Sequence, residues 1–572
     1  MLDEQAPLGV ATTRTLERLA AAMGMLEAAP IEFELVQDLP MGGVLCALPA
    51  LLALGLLRHT RKNFSLPPGF YPLETIFLLL AFLALARVYS LEAMRYEPPG
   101  EWGKLLGLDR IPEVKTLRAK LSLLCEDTQR LRQWTSTLAQ EWMAEQPESA
   151  GVLYIDGHVR VYHGQQTLLP RRYVARERLC LRGTTDYWVN AMDGQPFFVV
   201  NAPVDPGLIR ILEEQIVPRL LTEVPGQPTQ ERLDQNPLLH RFVMIFDREG
   251  YSPDLFARLR KLRIAVVTYH KFPKEPWPVE EFSRTSVRLI NGEEVELETA
   301  ERGVCLPNDL WVREIRHRDP NGHQTSMLST DYINPLLQVA ARMFARWCQE
   351  NFFKYMREHY ALDRLIEYGT ESLPETTRVV NPAWRELDRQ VRSQQALLTR
   401  EQARFGGLNL PAESSAELAS LHERKKGELL QSIQQRQNQL ESLKTQRKAV
   451  GKHILLKDLP EQDRFRQLST GKKHLVDTIK LIAYRAETSL VHILREKMER
   501  SDDARALARQ ILQSSADLHP DSVQKTLTVK LHRLTFHIHD QALDHLCEEL
   551  NQTETIFPGT ELRVIFQPVG ST

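Results

Sequence analysis

Apolar residues recur at helical spacing near both ends of the chain and at strand spacing in its middle. Residues 1–36 show helical spacing, which predicts an amphipathic helix. The runs 44–57 and 76–88 are almost wholly apolar. Each is well short of the roughly 20 residues that span a bilayer. We therefore interpret both runs as buried helices of an N-terminal domain.

A helix, a short turn that contains proline and a second helix are predicted over residues 101–134. The second helix carries Lys115, Arg118 and Lys120. This order is typical of a helix-turn-helix reader of DNA. A plain helical hairpin has the same pattern, and the sequence leaves both interpretations open.

The pattern changes to strand spacing at Gly151, which indicates an α/β layer. The segment GVLYIDGHVRVYHG predicts two strands joined at Gly157, and DYWVNAMDGQPFFVVNAP predicts another pair. A helix is predicted over 208–221. The strand RFVMIFDRE, a short helix capped by Ser252 and the strand IAVVTYHK follow it.

Helical spacing is lost between Phe272 and Thr330, where a small β-rich insertion is predicted. Hairpin turns are expected at Asn291-Gly292 and at residues 319–322. Asp331 is then expected to cap one long helix, which includes FARWCQENFFKYMREHY at 344–360.

A linker at 367–382 precedes a mainly helical C-terminal region. Apolar residues in 416–447 follow a 4–3 spacing, which predicts a coiled-coil arm paired with 384–404 and makes a homodimer the expected assembly. Helices are predicted at 472–500 and 503–515, before a small mixed α/β unit.

Composition adds little for the whole chain, because a net charge of −2 in 572 residues carries no nucleic-acid signal. From Arg424 to Arg485, however, there are 15 Lys+Arg against 6 Asp+Glu, so 15 − 6 = +9. This block suits either a phosphate backbone or a solvated helical face. Six widely spaced cysteines exclude a C-x-x-C zinc site and fit a reducing cytoplasm, and no signal peptide opens the chain.

Three acidic residues carry the candidate chemistry. Asp156 and Asp247 each follow an apolar, strand-like run, and Glu350 shares one helical stripe with Arg346 and Arg357. Carboxylates are the ligands that Mg²⁺ prefers. Two such ions about 4 Å apart activate a nucleophile and stabilise the leaving oxygen in phosphoryl transfer.

The pattern alone leaves structural roles open for the same residues. A strand-end aspartate is commonly a turn residue, and a glutamate between arginines is commonly part of a surface ion pair. Other acidic residues nearby compete for the same assignment: Asp186, Asp193, Asp205 and Glu249.

Several segments resemble the catalytic blocks of bacterial insertion-sequence transposases of the DDE class. They are YIDGHVRVYHG, FDREGYSP and RWCQENFFKYMREHYALD, and GFYPLETIFLLLAFLALARV and HLCEELNQTETIFPGTELRV extend the resemblance over most of the chain. The group it resembles carries a tyrosine, arginine, glutamate, lysine signature on the glutamate helix. Arg346 and Glu350 match it, Arg357 takes the lysine place, and Met343 takes the tyrosine place without a hydroxyl.

The resemblance implies a multidomain α/β protein with a ribonuclease-H-like core that cuts and joins DNA at transposon ends. The pattern along the chain predicts the following division: a helical N-terminal domain (1–140), the first part of the core (141–271), the β-rich insertion (272–330), the glutamate helix (331–366) and a helical C-terminal region (367–572). Asp156, Asp247 and Glu350 would be catalytic and would bind two Mg²⁺, with Mn²⁺ as a substitute. Arg346, Arg357 and His158 would support them. The expected DNA-contacting residues are Lys115, Arg118, Lys120, Lys444, Arg447 and Lys448.

Double-stranded DNA is the expected partner, without a membrane or a small-molecule substrate, in a nucleoid-associated cytoplasmic protein. A metal-dependent nuclease without strand joining and a catalytically silent DNA-binding derivative remain alternatives. His158 and His163 are either phosphate contacts or satisfied strand residues. Trp347 and the pair Phe352-Phe353 would either stack on a flipped base or pack in the core.

Overall fold

A computed structural model describes residues 13–174, 176–202, 204, 206–288, 294–364, 366, 369–408, 416–498, 500–534 and 539–569. The chain divides into two compact units. The larger unit comprises Met1–His163, Pro170–Gly369 and Ser469–Thr572, and the smaller unit comprises Gly164–Leu169 and Thr370–Leu468. The turn expected at Asn291-Gly292 and the competing Asp205 lie outside the described residues.

The N-terminal part of the larger unit is helical around an apolar core. Its elements are α1 (Thr15–Ala22), β1 (Val36–Leu39), a 3₁₀ helix (Gly42–Ala47), α2 (Leu48–Ala53), α3 (Thr60–Asn63), α4 (Leu73–Leu85), α5 (Pro99–Lys104), α6 (Val114–Leu124), α7 (Thr128–Glu145) and α8 (Pro147–Ala150). Twelve of the thirteen residues of α4 are buried. The two apolar runs are therefore core segments, as the sequence predicts. No helix within the described ranges is long and apolar enough to cross a membrane.

A mixed sheet forms the centre of the larger unit. Its strands are β2 (Val152–Val161), β3 (Arg171–Val174), β4 (Leu179–Asn190), β5 (Pro196–Asn201), β6 (Val243–Phe246), β7 (Ala265–Tyr269), β8 (Ser283–Arg288), β9 (Glu294–Cys305), β10 (Trp311–Arg318) and β11 (Gln324–Ser329). The order is β3-β4-β2-β6-β7-β11-β10-β9-β8, and β5 also pairs with β4. The β2–β4 and β4–β5 pairs are antiparallel, whereas β2–β6 and β6–β7 are parallel.

Helices connect the parallel strands. They are α9 (Leu208–Ile211), a π-helical turn (Leu212–Ile216), α10 (Val217–Glu223), α11 (Gln230–Gln235) and α12 (Pro253–Lys261). Ser252 caps α12, as predicted, because its hydroxyl accepts a hydrogen bond from the Leu255 amide at 3.3 Å.

One strand prediction is wrong. Gly157 does not join two strands, because β2 runs through it without a turn. A Cβ on Gly157 would lie 2.8 Å from Cγ2 of Thr185, so glycine there permits the close approach of β4. The segment predicted to be β-rich contains β8–β11. It extends the central sheet through the antiparallel pairing of β11 with β7.

The predicted long helix is also broken. It consists of α13 (Leu336–Phe344) and α14 (Trp347–Tyr360). At the break the Cys348 amide bonds to the Ala345 carbonyl and the Gln349 amide to that of Arg346, which are the three-residue steps of a tighter turn. Asp331 does not cap the helix, because Pro335 holds the cap position. Asp331 instead accepts hydrogen bonds from the Ile333 and Asn334 amides, in the turn that precedes the helix.

The smaller unit contains the predicted arm. Its elements are β12 (Thr370–Glu371), β13 (Arg378–Val380), α15 (Pro382–Gly407), α16 (Ala416–Ala449), β14 (His453–Leu455) and β15 (Gln467–Leu468). Four buried apolar side chains form the seam between α15 and α16: Val391, Leu398, Ile433 and Leu440. The heptad-like residues are therefore used within one chain, which removes the reasoning behind a homodimer, and the homodimer itself stays a prediction.

The C-terminal segment completes the larger unit with α17 (Gly471–Arg495), α18 (Ala504–Leu512), β16 (Ala516–Asp521), β17 (Thr526–Leu531), α19 (Asp540–Gln552) and β18 (Arg563–Pro568). These strands form a sheet in the order β1-β16-β17-β18. The N-terminal β1 therefore completes a sheet whose other described strands follow residue 515.

Candidate active site at the carboxyl edge of the central sheet

Asp156 lies in the middle of β2, on the face that also presents His158. Its Oδ1 accepts a hydrogen bond from the Gly157 amide at 2.8 Å. Its side chain is 26% exposed, so solvent reaches the carboxylate from one side. Burial raises the pKa of Asp156 to about 6, and the charges of Asp247 and Glu350 add to that increase.

Asp247 is the first residue after β6, the parallel neighbour of β2. Ile155 lies opposite Phe246 in that pairing, so the two aspartates occupy successive places on adjacent strands. The Asp247 carboxylate accepts a hydrogen bond from the Arg248 amide at 2.6 Å. This contact fixes the carboxylate at the carboxyl end of β6.

Arg346 joins the first aspartate to the helical glutamate. Its Nη1 lies 3.3 Å from Oδ2 of Asp156, and its Nη2 lies 2.5 Å from Oε1 of Glu350. Burial by itself lowers the pKa of Arg346, but the charges of Asp156, Asp247 and Glu350 raise it above its ordinary value. Arg346 therefore contacts two of the three predicted carboxylates directly, whereas Asp247 acts on it only through its charge.

Gln349 holds α14 against the sheet. Its amide nitrogen donates to the Tyr154 carbonyl at 3.2 Å, to the Trp188 carbonyl at 3.3 Å and to Oδ1 of Asn190 at 2.9 Å. Gln349 was not among the residues predicted from the sequence. On α14 it lies about 100° from Glu350, and its partners come from distant strands.

A buried carboxylate holds α14 on its other side. Glu487 of α17 pairs with Arg87 at 2.7 Å and accepts hydrogen bonds from the hydroxyls of Tyr355 and Tyr360. Lys473 donates to the Leu362 carbonyl at 3.0 Å, just beyond the helix end, where a cation is favourable. The glutamate helix is thus fixed from both sides, and its break places Arg346 over Asp156.

The donor chemistry suits a hard divalent cation, because the site offers three carboxylates and solvent access. Within the described ranges, however, no three His, Cys, Asp or Glu side chains lie close enough together to hold an ion. The guanidinium of Arg346 supplies the positive charge at this place. The residues fit a metal by type and by charge, provided that Arg346 releases the carboxylates that it contacts.

His158 has a structural partner. Its Nε2 pairs with Oδ1 of Asp363, and its ring stacks on Phe353 with centroids 5.3 Å apart. Arg176 binds the same aspartate at 3.5 Å. Arg357 is exposed on α14, and its charge helps to lower the pKa of Asp363. Arg357 is seven residues from Glu350 but is not joined to it.

Two of the competing acidic residues, Asp186 and Asp193, have structural roles. Asp186 forms a buried, two-bonded ion pair with Arg160 at 3.0 and 3.1 Å. Asp193 accepts a hydrogen bond from the Gln195 amide at 2.9 Å, within the turn between β4 and β5. Glu249 lies in a 3₁₀ turn and is exposed.

A family model described as "Transposase protein" matches residues 9–570 of the chain. The chain belongs to this transposase family. No curated protein matches this member of the transposase family.

The basic residues expected to contact DNA in this family member occupy different settings. Lys115 is exposed on α6, Arg118 pairs with Glu92, and partial burial lowers the pKa of Lys120. In the arm, Lys444 pairs with Glu441 at 3.0 Å and Arg447 with Asp388 at 2.5 Å, whereas Lys448 is exposed.

The basic block 424–485 does not form one surface. Three of its cations are buried in the larger unit, namely Lys473, Lys480 and Arg485. Burial lowers the pKa of Lys480 to about 7. A charge count along the sequence therefore overstates the cationic surface that this transposase family member presents.

The aromatic residues near Glu350 differ in their exposure to solvent. Phe352 and Phe353 are buried in the core, whereas the Trp347 side chain is 67% exposed. Met343, in the signature's tyrosine place, is fully buried. Tyr269, at the end of β7, lies instead between two cations, with Arg248 and Arg346 at 5.6 and 5.9 Å from its ring centre. The sequence pattern did not reveal this contact between Tyr269 and Arg346.

Proposed function

We propose that this member of the transposase family cuts and joins DNA at transposon ends by metal-dependent phosphoryl transfer. Asp156, Asp247 and Glu350 are the proposed catalytic carboxylates. The observation that carries the proposal is the contact of Arg346 with both Asp156 and Glu350, two residues that are 194 positions apart, so 350 − 156 = 194.

The strand order supports a ribonuclease-H-like core of the DDE class. Five strands follow the order β5-β4-β2-β6-β7, in which the first three are antiparallel and the last two run parallel to β2. In this arrangement the central strand carries Asp156, and its parallel neighbour ends at Asp247. The β8–β11 extension separates these strands from the glutamate helix along the chain.

The three carboxylates would hold magnesium, with manganese as a substitute. Bound there, the ions would activate the attacking water or 3′-hydroxyl and stabilise the leaving oxygen. Asp156 must lose its proton before it can act as a ligand, and its pKa of about 6 makes that step dependent on pH. Arg346 and Arg357 would bind or orient phosphate groups of the DNA.

A second candidate function is DNA binding without cleavage. It is favoured by the guanidinium of Arg346, which occupies the space between Asp156 and Glu350 in the described residues. With that function, Asp156 and Glu350 would stay paired with Arg346, and no divalent ion would bind.

The test is cleavage of a labelled DNA duplex that carries the ends of the protein's own genetic element, with magnesium or with EDTA. Wild type is compared with Glu350→Gln and with Glu358→Gln. Glu358 is an exposed glutamate on the same helix and serves as the matched control. We expect cutting that requires metal, is lost in the first variant and is retained in the second.

The fate of the cut 3′ ends separates the two enzymatic alternatives. Transfer of these ends into a target duplex supports a transposase, whereas cut products that stay unjoined support a nuclease. If wild type binds the ends but does not cut them with any divalent metal, the proposal fails and DNA binding without cleavage is the better account.

A further inference from the structure

A hairpin rich in arginine continues the central sheet beyond the candidate site. Residues 171–182, which we name the arginine hairpin, contain five arginines and one glutamate, so 5 − 1 = +4. Its strands are β3 and the first part of β4. Among the described strands β3 pairs with β4 alone, so its outer edge is open.

Two of these arginines face each other across the ladder. Arg171 lies directly opposite Arg182 in the β3–β4 register. Like charges in this position repel each other and destabilise the pairing. In the described part of the chain neither arginine forms an ion pair with a carboxylate. An external anion between them would remove this repulsion.

The same pair lies on the face of the sheet that carries the first catalytic aspartate. Trp188 is opposite Asp156, and Arg182 is six residues earlier on β4, so it points to the same side. Tyr173, two residues after Arg171, shares this face and is 61% exposed. The face therefore presents two cations and an aromatic ring to solvent.

The spacing suits a DNA duplex. Six residues of antiparallel strand extend about 20 Å. Phosphates along one DNA strand advance about 3.4 Å each. A duplex whose reacting phosphate lay at Asp156 would therefore pass the arginine hairpin within one helical turn, which is about 34 Å long.

The hairpin is also anchored to the candidate site. Arg176, near its turn, donates to the Val159 carbonyl of β2 at 3.1 Å and pairs with Asp363 at 3.5 Å. Asp363 in turn holds His158. These contacts fix the hairpin relative to the strand that carries Asp156, so the cations are held in place before any ligand binds.

We propose that Arg171 and Arg182 bind the phosphate backbone of duplex DNA, within about one helical turn of the phosphate that reacts. The placement of that phosphate rests on the proposed function, but binding by the hairpin does not require cleavage. Backbone contacts position the protein without reading sequence. The hairpin should therefore strengthen the binding of any duplex.

The test is DNA binding in EDTA, measured by fluorescence anisotropy over a range of salt concentrations. The probes are a labelled duplex with the ends of the protein's own element and an unrelated duplex of equal length. The variant is Arg171→Gln/Arg182→Gln. The control, Lys525→Gln/Arg563→Gln, removes two cations at the C-terminal sheet. The Arg563 amide donates a hydrogen bond to the Lys525 carbonyl there, and both substitutions leave that bond in place.

We expect the hairpin variant to bind both duplexes about tenfold more weakly at low salt. The slope of log affinity against log salt should fall by about 1.8, since two phosphate contacts are lost. The control should bind as wild type does. Unchanged circular dichroism and thermal unfolding would show that the variant is folded.

An equal affinity and slope for the hairpin variant and wild type would overturn this inference and leave the proposed chemistry intact. A loss equal to that of the control variant would overturn it too, because it would reflect net charge alone. If the hairpin variant loses binding while wild type never cuts DNA, the inference stands and the proposed phosphoryl transfer fails.

Discussion

Replacement of Asp156 by asparagine should stabilise the protein in the absence of metal. Burial raises the pKa of Asp156 to about 6 from an ordinary value of 3.8, despite the attraction of Arg346. The folded state therefore binds more protons than the unfolded state between these values. Stability falls as the pH rises through this window, and the loss is complete above pH 6. Asparagine carries no charge, so the Asp156→Asn variant does not lose this stability as the pH rises.

The expected size follows from the shift. The difference between a pKa of about 6 and 3.8 corresponds to about 3 kcal/mol at pH 8, and the same linkage gives about half of that at pH 5. Because the Asp156 side chain is 26% exposed, solvent screens part of this energy. About half of each value is therefore the realistic expectation.

The assay is urea unfolding in EDTA at pH 5 and pH 8, followed by tryptophan fluorescence. Asp186→Asn is the control, because that aspartate is buried in an ion pair with Arg160. Its loss should destabilise the protein by about 3 kcal/mol at both pH values. Magnesium should stabilise wild type and not Asp156→Asn, since an ion that binds only the folded state adds to its stability. An Asp156→Asn variant that is less stable than wild type at pH 8, or whose advantage does not grow with pH, would refute the reasoning.

Three further changes test how the site is supported. Glu487→Gln leaves Arg87 buried without a carboxylate and should lower the free energy of unfolding by about 3 kcal/mol, whereas a change below about 1 kcal/mol in thermal unfolding would contradict this role. Gln349→Leu removes three hydrogen bonds between α14 and the sheet. It should therefore reduce the DNA cleavage rate at least about tenfold and leave DNA affinity unchanged. An equal loss of cleavage and affinity would indicate general unfolding. Ile433→Ala should weaken the α15–α16 seam by about 2–4 kcal/mol and speed proteolysis of the arm, without altering the response to magnesium.

Elements with a strong local signal could be predicted from the sequence. The apolar run of α4 is buried almost throughout, and Ser252 caps α12 through its hydroxyl. The arm pairs α15 with α16 through the predicted leucine and isoleucine positions. In each case residues close in sequence carry the signal, because periodicity and capping depend on local geometry.

Features that depend on distant partners could not be predicted. The break before α14 contains Ala345 and Arg346, neither of which is a helix breaker, and Arg346 is held there by Asp156 from another element. Gly157 resembled a turn, but it accommodates the side chain of Thr185 on β4. Strand β1 pairs with β16, some 480 residues later, so 516 − 36 = 480.

Arg346 joins Asp156 to Glu350, so the candidate site depends on an ion pair between distant elements that the sequence pattern does not show. Asp156, Asp247 and Glu350 raise the pKa of Arg346, so the site already holds one compensated positive charge. A divalent ion that entered would compete with this guanidinium for the same oxygens, and the displaced arginine would become free to bind phosphate. The spacing of acidic residues along the chain does not reveal this competition, because Arg346 meets Asp156 only where the break before α14 lies beside the middle of β2.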